Sequence, residues 1–355
     1  MSYVYVANAD GQDISVFGLE SDGALSVSAT VAAQSPPQTG RSMLLAISPD
    51  QRFLYAAYLS GDAHFAATTF AIDASNGIPV AQGTAALADS MAYMATDRSG
   101  RYLLCASYAG SRVTVNRIGA DGLVGALVQN IATAPKAHCI VTDASNRHVL
   151  HTSLGGDLVY QQRFDAGNGE LAPNEPATIA MTPGSGPRFI ALSPDGRFVY
   201  INAELDGSIS VHPYDGNSGT LQPRIQSVSV LPPEFAGKPW AADLRITPEG
   251  RYLYASERTS STVSTFAVEG ASGLLRLVGS VPTVRQPRAL AIDPAGRYLL
   301  AAGQLSNSIM CYSLDPDTGA PKPLQEYPVG LNPTWIEITG RRFAAAGNIA
   351  PPMRP

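Results

Sequence analysis

Pro194-Asp195-Gly196-Arg197-Phe198-Val199 reads as a tight turn feeding a strand, and the same turn returns along the chain. Near-ideal copies are Pro248-Glu249-Gly250-Arg251-Tyr252-Leu253 and Pro294-Ala295-Gly296-Arg297-Tyr298-Leu299. Looser ones are Pro49-Asp50-Gln51-Arg52-Phe53-Leu54 and Arg98-Ser99-Gly100-Arg101-Tyr102-Leu103. The third in chain order is worn down to Asp143-Ala144-Ser145-Asn146-Arg147-His148, and a weak seventh is Thr339-Gly340-Arg341-Arg342-Phe343. Successive copies lie roughly 45 to 55 residues apart, the period of a four-stranded propeller blade. Seven copies predict seven blades.

Around each turn the order of elements is the same. An alternating run such as Phe189-Ile190-Ala191-Leu192-Ser193 precedes it, and a second run, Phe198-Val199-Tyr200-Ile201-Asn202, follows. After a polar loop come a third run (Ser208 to Tyr214), a glycine turn and a weaker outer strand. Period-two alternation bounded by Gly, Asp, Asn and Ser is the mark of strands and hairpins. Residues 3–8 resemble a second strand and Asp13–Leu19 a third, so the chain begins in mid-blade. The missing innermost strand is supplied by Asn332-Pro333-Thr334-Trp335-Ile336-Glu337-Ile338. Pairing the N- and C-terminal strands closes the ring and leaves no long edge exposed. The expected fold is an all-β, seven-bladed β-propeller with four antiparallel strands per blade, one domain over residues 1–355. The tail after Phe343 has no place in this scheme.

Composition agrees. With 45% apolar and 15% charged residues among 355, the chain is not disordered. Its 33 Gly and 27 Pro suit many short strands joined by tight turns. A net charge of -5 offers no general attraction to nucleic acid or to an anionic membrane, so neither is an expected partner. An anionic ligand must then be held by a few local cations. Cys105, Cys139 and Cys311 stand far apart with no CxxC pair, which excludes zinc-ligand spacing and argues against a disulfide framework. The opening Met-Ser-Tyr-Val-Tyr-Val lacks a basic region followed by an apolar run, and no apolar stretch approaches a membrane span. A cytoplasmic protein, monomeric or weakly homo-oligomeric, is the expectation.

Antiparallel strand order sorts the loops. Calling the strands of a blade a to d from axis to rim, the d–a and b–c loops emerge on one face and the a–b turns on the other. The Gly-Arg turns therefore share the far face, where their arginines serve neighbouring carbonyls and carboxylates. On the near face the d–a loops bring His138, Arg188, Trp240 with Asp243, Arg288 and Trp335, and the b–c loops bring Asn8, Tyr58, Tyr108, Glu204, Arg258 and Gln304. A ring of such side chains around the axis is what a polar small-molecule site needs. His64, His148, His151 and His212 sit in strands or rim loops and are assigned structural roles. There is no Gly-x-Ser-x-Gly elbow, no glycine-rich nucleotide fingerprint and no HExxH, so no cofactor or metal is expected.

Several stretches resemble one family. Gly186-Pro187-Arg188 with Ala203-Glu204-Leu205, Trp240-Ala241-Ala242-Asp243 with Ile246-Thr247-Pro248, Glu257-Arg258-Thr259-Ser260, Gln286-Pro287-Arg288 and Ala302-Gly303-Gln304 match as a set. Nearly the whole chain is similar to the seven-bladed lactonases, which include propeller-type bacterial 6-phosphogluconolactonase and the fungal carboxy-muconate lactonizing enzyme. The resemblance implies a hydrolase of a sugar lactone with His138, Arg188, Glu204 and Arg258 as its catalytic set. Asn8, Tyr108, Trp240, Asp243, Arg288, Gln304 and Trp335 are then the substrate-binding wall. Where some relatives carry basic residues, this chain has Leu59 and Leu305. That departure weakens a phosphate on the substrate but not the lactone.

Hydrolysing a lactone needs an activated water and a donor at the developing oxyanion. Glu204 or His138 is the group to take the water's proton. Arg188 and Arg258 suit the oxyanion or a substrate carboxylate, because a rigid guanidinium fork matches carboxylate geometry. The favoured substrate is a 6-phosphogluconolactone. Aldaric or other unphosphorylated lactones are the alternative, and closure of a muconate lactone is a remoter one. A protein-binding scaffold is the alternative of another class, against which stand the absent Gly-His and Trp-Asp signatures of scaffold propellers.

Overall fold

The computed structural model describes residues 2–33, 42–60 and 64–340. Its strands form seven antiparallel sheets arranged in a ring. The innermost a strands are Pro333–Ile338, Leu44–Ile47, Tyr93–Thr96, Ala137–Thr142, Pro187–Leu192, Ala241–Ile246 and Pro287–Ile292, which we number as blades 1 to 7. Blade 1 joins the two ends of the chain: Ser2–Asn8 pairs with Pro333–Ile338 on one side and with Asp13–Leu19 on the other. The expected closure is therefore observed, with Val4 opposite Ile338 and Val6 opposite Ile336. Blade 5 carries a split outer strand, Thr220–Leu221 and Gln226–Ser229, both paired with Ser208–Asp215. Pro223 lies in the gap, where a residue without an N–H cannot continue the ladder.

Burial follows the distance from the axis. The b strands are sandwiched between neighbouring blades and read as continuous apolar runs; all six residues of Tyr252–Glu257 and of Tyr102–Ser107 are buried. Outer strands such as Val124–Ala132 alternate and face water on one side. The repeated Gly-Arg-aromatic turn explains how blades lock together. In five of the described turns the arginine lies over the aromatic ring that follows it, 5.2 Å for Arg52 on Phe53 and 5.4 Å for Arg197 on Phe198 among them. That ring in turn packs beneath the c–d hairpin glycine of the next blade. A Cβ on Gly122 would stand 2.3 Å from the Phe53 ring, and one on Gly169 2.3 Å from Tyr102. Burying one such side chain contributes roughly 1.5–3 kcal/mol, and the contact recurs at every blade junction.

Two weak copies of the turn are explained by this lock. In the third, His148 takes the place of the aromatic residue: it lies under Gly219 and meets Asp143 at 3.1 Å. The seventh junction is closed from the other end of the chain: the b strand of blade 1 comes from the N-terminus, and the ring under Gly77 is Tyr3. Phe343 and the tail beyond it lie outside the described residues.

Candidate active site

Four of the a strands begin with an inward turn. Lys136, Gly186, Gln286 and Asn332 adopt φ of 66°, 68°, 57° and 55° immediately before the strand. Three of them are not glycine, a strained choice that persists where the surroundings fix it. One residue later the ladder is irregular, so that His138, Arg188 and Arg288 leave the regular pairing at the mouth of the axis. A second ring comes from the residue after each b strand: Glu204 beyond Phe198–Ala203, Arg258 beyond Tyr252–Glu257, Gln304 beyond Tyr298–Gly303 and Tyr108 beyond Tyr102–Ser107.

Glu204 ties the two rings together. Its Oε2 accepts from Arg188 Nε at 2.8 Å and from Arg258 Nη2 at 2.7 Å, joining blades 5 and 6. Arg188 is almost fully buried and also donates through Nη1 to the Ala242 carbonyl. Arg258 donates to the carbonyls of Trp240 and Ala241 and stacks 3.9 Å from the Trp240 ring centroid. Counting donors, Arg188 Nη2 and Arg258 Nη1 are the groups not spent on these partners. Arg288 Nη2 donates to Ser42 Oγ at 3.1 Å, on the segment that leads into blade 2. The electrostatics are cationic. Burial alone would raise the Glu204 carboxyl, but Arg188 and Arg258 together hold it below the ordinary carboxylate range. Burial and then Arg188 pull Arg258 down to about 9 and Arg288 down to about 10, with Glu204 opposing both.

His138 stands beside this cluster, its ring between Tyr108 at 6.0 Å and Phe189 at 5.5 Å. Burial, followed by Arg188, Arg288 and Arg258, keeps its pKa well below the usual value, so the imidazole is neutral at neutral pH. Nδ1 is shut in without a partner. Nε2 is the nitrogen left to meet a ligand. Lys136, which the sequence did not single out, lies 5.5 Å from the Tyr108 ring centroid.

The remaining expected wall residues divide. Tyr108 and Trp240 are exposed at the rim, and Gln304 is fixed there between Gln286 and Asn332. Trp335 lies deeper. With Tyr93 and Phe189 it forms an edge-to-face cluster at centroid distances of 5.2 to 5.9 Å, and its indole N–H donates to Glu337 Oε1 at 2.9 Å. Two residues are not brought to the mouth. Asp243 is fully buried, pairing with Arg245 at 3.0 Å and accepting from the Leu290 N–H at 2.8 Å, so it ties blade 6 to blade 7. Asn8 is fully buried and donates to Asp13 and Ser15. It pairs with Pro333, as Glu257 pairs with Ala241, and is therefore one residue short of the mouth position, which is Ala9. A shift of one residue along a strand turns a side chain to the opposite face. The side chains of Tyr58, Leu59 and His64 lie outside the described ones.

The other described histidines are occupied within the fold. His151 stacks on Tyr160 at 4.4 Å, and burial lowers its pKa to about 3. His212 bonds the Gln222 carbonyl and Ser210. Among the described residues no three or more His, Cys, Asp and Glu side chains gather as a metal site would require. On the far face a cleft of about 430 Å³ is lined by Arg98, Asp143, Asp195 and Tyr214 among others. Its carboxylates are already engaged, Asp143 with Ser145 and His148 and Asp195 with Ser193 and Arg197.

Comparison with known proteins identifies the family of this fold. The family model described as "Lactonase, 7-bladed beta-propeller" matches residues 2–338. The chain belongs to this lactonase family. Among curated members, a 6-phosphogluconolactonase of Pectobacterium carotovorum is 37% identical over 336 residues, covering 94% of this chain and 98% of the relative. One from Yersinia pestis is 37% identical over 338 residues, with 95% and 98% covered. Among solved structures, a periplasmic gluconolactonase of Pseudomonas aeruginosa superposes with a TM-score of 0.85 at 29% identity, covering 96% of this chain and 99% of that one. Within the lactonase fold, the mouth that gathers three arginines, one glutamate and one histidine lies on the face opposite the Gly-Arg turns. No helix among the described residues is long and apolar enough to cross a membrane.

Proposed function

We propose that this chain hydrolyses a sugar lactone to the open-chain aldonic acid, with a 6-phosphogluconolactone as its substrate. Family membership and the names of the full-length relatives support a lactonase. The observation that carries the mechanism is Glu204 Oε2 bridging Arg188 and Arg258 beside a neutral His138. In this mechanism water attacks the lactone carbonyl while Nε2 of His138 takes its proton. Arg188 Nη2 and Arg258 Nη1 donate to the oxyanion that develops. The tetrahedral intermediate collapses with cleavage of the ring C–O bond, and the proton on His138 passes to the leaving alkoxide. Glu204 holds both guanidinium groups in register, since its own proton affinity is too low for an efficient base. An anionic substrate group near the three arginines raises the proton affinity of His138 as it binds, because it offsets the field that depresses it.

Three arginines against one glutamate favour a substrate that carries an anion. Leu305, exposed at the same face, leaves room for the unphosphorylated alternative. A panel of lactones assayed with a chelator present tests both the substrate and the metal-free mechanism. Preference for the 6-phospho lactone is expected; preference for a glucaro- or galactarolactone overturns that substrate, and chelator inhibition overturns the mechanism. We place the enzyme in the cytoplasm, with the three buried free thiols in support. The periplasmic P. aeruginosa relative is the counter-case, and cell fractionation separates the two.

A further inference from the structure

Aligning the seven b strands brings one position into view. Two residues beyond a buried Tyr or Leu, it is occupied by Ala7, Ala57, Ala106 and Ala302 in blades 1, 2, 3 and 7, and all four are buried. In blades 4, 5 and 6 it is Thr152, Asn202 and Ser256, each with no exposed surface. The fold does without polarity here in four blades. The three that have it are consecutive, and they carry His138, Arg188 with Glu204, and Arg258.

These side chains form one run of hydrogen bonds behind the mouth. The Cys139 N–H donates to Thr152 Oγ1 at 3.1 Å, and that hydroxyl donates to the Arg188 carbonyl at 2.8 Å. The N–H of the same peptide group, on Phe189, donates to Asn202 Oδ1 at 2.8 Å. Asn202 Nδ2 donates to the Ala242 carbonyl at 2.9 Å, and the Asp243 N–H, again of the same peptide, donates to Ser256 Oγ at 3.0 Å. Every donor points the same way around the ring, so the bonds polarise one another. The side-chain oxygens also replace ladder partners. In blade 4 the pairing jumps from Ala137 with Ser153 to Ile140 with His151, and blades 5 and 6 do the same. In blade 7, where the position is Ala302, Ala289 pairs with it directly.

We propose that Thr152 and Asn202 are positioning residues for the lactonase reaction. They fix the peptide that bears Arg188, and the Ala242 carbonyl that holds its guanidinium, at a set distance from His138. The inference rests on the lactonase reading for its kinetic test but not for its structural one.

Thr152→Val keeps the shape and removes both bonds of one link. Its kcat on the lactone is expected to fall about 10- to 100-fold, the range that a misplacement near 1 Å produces, with KM changed less than about threefold. Thr152→Ser is expected to restore kcat, and Thr152→Val with Asn202→Leu to lose less than the product of the two single effects. Ser264→Ala, which deletes a buried hydroxyl bond to the Val230 carbonyl in blade 6, is the comparison for plain destabilisation. In a crystal structure of Thr152→Val the Arg188 to Glu204 contact, 2.8 Å in the parent, is expected to open. An unchanged kcat, an equal loss in Ser264→Ala, or failure of Thr152→Ser to restore overturns the proposal. If the parent chain hydrolyses no lactone, the lactonase reading fails by itself; the positioning role then stands or falls on whether that contact moves.

Discussion

Replacing Glu204 by glutamine removes the only carboxylate that touches both Arg188 and Arg258 among the described residues. The amide keeps the shape but presents two guanidinium groups, only 2% and 4% exposed in their side chains, to each other without the charge between them. Breaking a buried pair from one side costs roughly 3–5 kcal/mol. That lies within the 5–15 kcal/mol by which folded domains exceed their unfolded chains, so the variant folds. With about 2.1 cal/mol/K of unfolding entropy per residue over this chain, the loss corresponds to a Tm roughly 4–7 °C lower. The pH dependence has a definite sign. The folded pKa of Glu204 is depressed, so its stabilisation is present above the ordinary carboxylate range and lost as pH falls through the lower folded value. Calorimetry on both proteins from neutral pH into acid therefore shows a Tm gap that narrows as the parent loses its advantage. Lactone hydrolysis falls about 100-fold or more, because both guanidinium groups shift. A variant as stable as the parent at neutral pH, or one whose Tm gap widens in acid, refutes the bridged-pair account.

His138→Gln is expected to lower kcat by about 10²- to 10⁴-fold, as loss of a general base does, with its fold intact by circular dichroism. In the parent, kcat/KM stays level through neutral pH and drops only in acid, since burial and then the arginines hold the free imidazole well below its usual pKa; a limb near the usual histidine value counts against the assignment. Leu305→Lys, at an exposed near-face position, lowers KM for the 6-phospho lactone and leaves KM for gluconolactone unchanged in steady-state assays. Gly169→Ala puts a Cβ 2.3 Å from the Tyr102 ring at φ 87°; denaturant unfolding should show a loss of about 1–3 kcal/mol without a change in kcat. Arg197→Met, on the far face and half exposed, changes stability by no more than about 1 kcal/mol and leaves hydrolysis as it was.

The architecture was legible because a propeller repeats its information. Pro-Asp-Gly-Arg-Phe and its copies encode a turn, an arginine over a ring and a ring beneath the next hairpin glycine, so even the worn third copy keeps His148 in the ring's place. At the junction of blades 1 and 2 the ring is Tyr3, at the opposite end of the chain from the innermost strand of its own blade. At the site, antiparallel order was enough to bring His138, Arg188, Glu204, Arg258 and Arg288 to one mouth. It was not enough to fix single-residue phase. Asn8 lies one place before the mouth, and Asp243 turns away into the Arg245 pair because the bulge in its strand alters the alternation. Trp335 sits beneath the mouth rather than in its wall, since the a strand runs inward from Pro333. Thr152, Asn202 and Ser256 were given no role at the site although the sequence contains their signal: polar residues at a position that is alanine in every other blade.

The central claim is that four neighbouring blades build one anion-receiving mouth where a lactone is opened. A crystal structure grown with 6-phosphogluconate, the product, tests it most directly. The account predicts the product carboxylate within hydrogen-bond reach of Arg188 Nη2 and Arg258 Nη1, with Nε2 of His138 facing the same carbon. Product bound among the Gly-Arg turns of the far face, or a mouth left without it at saturating concentration, would contradict the account.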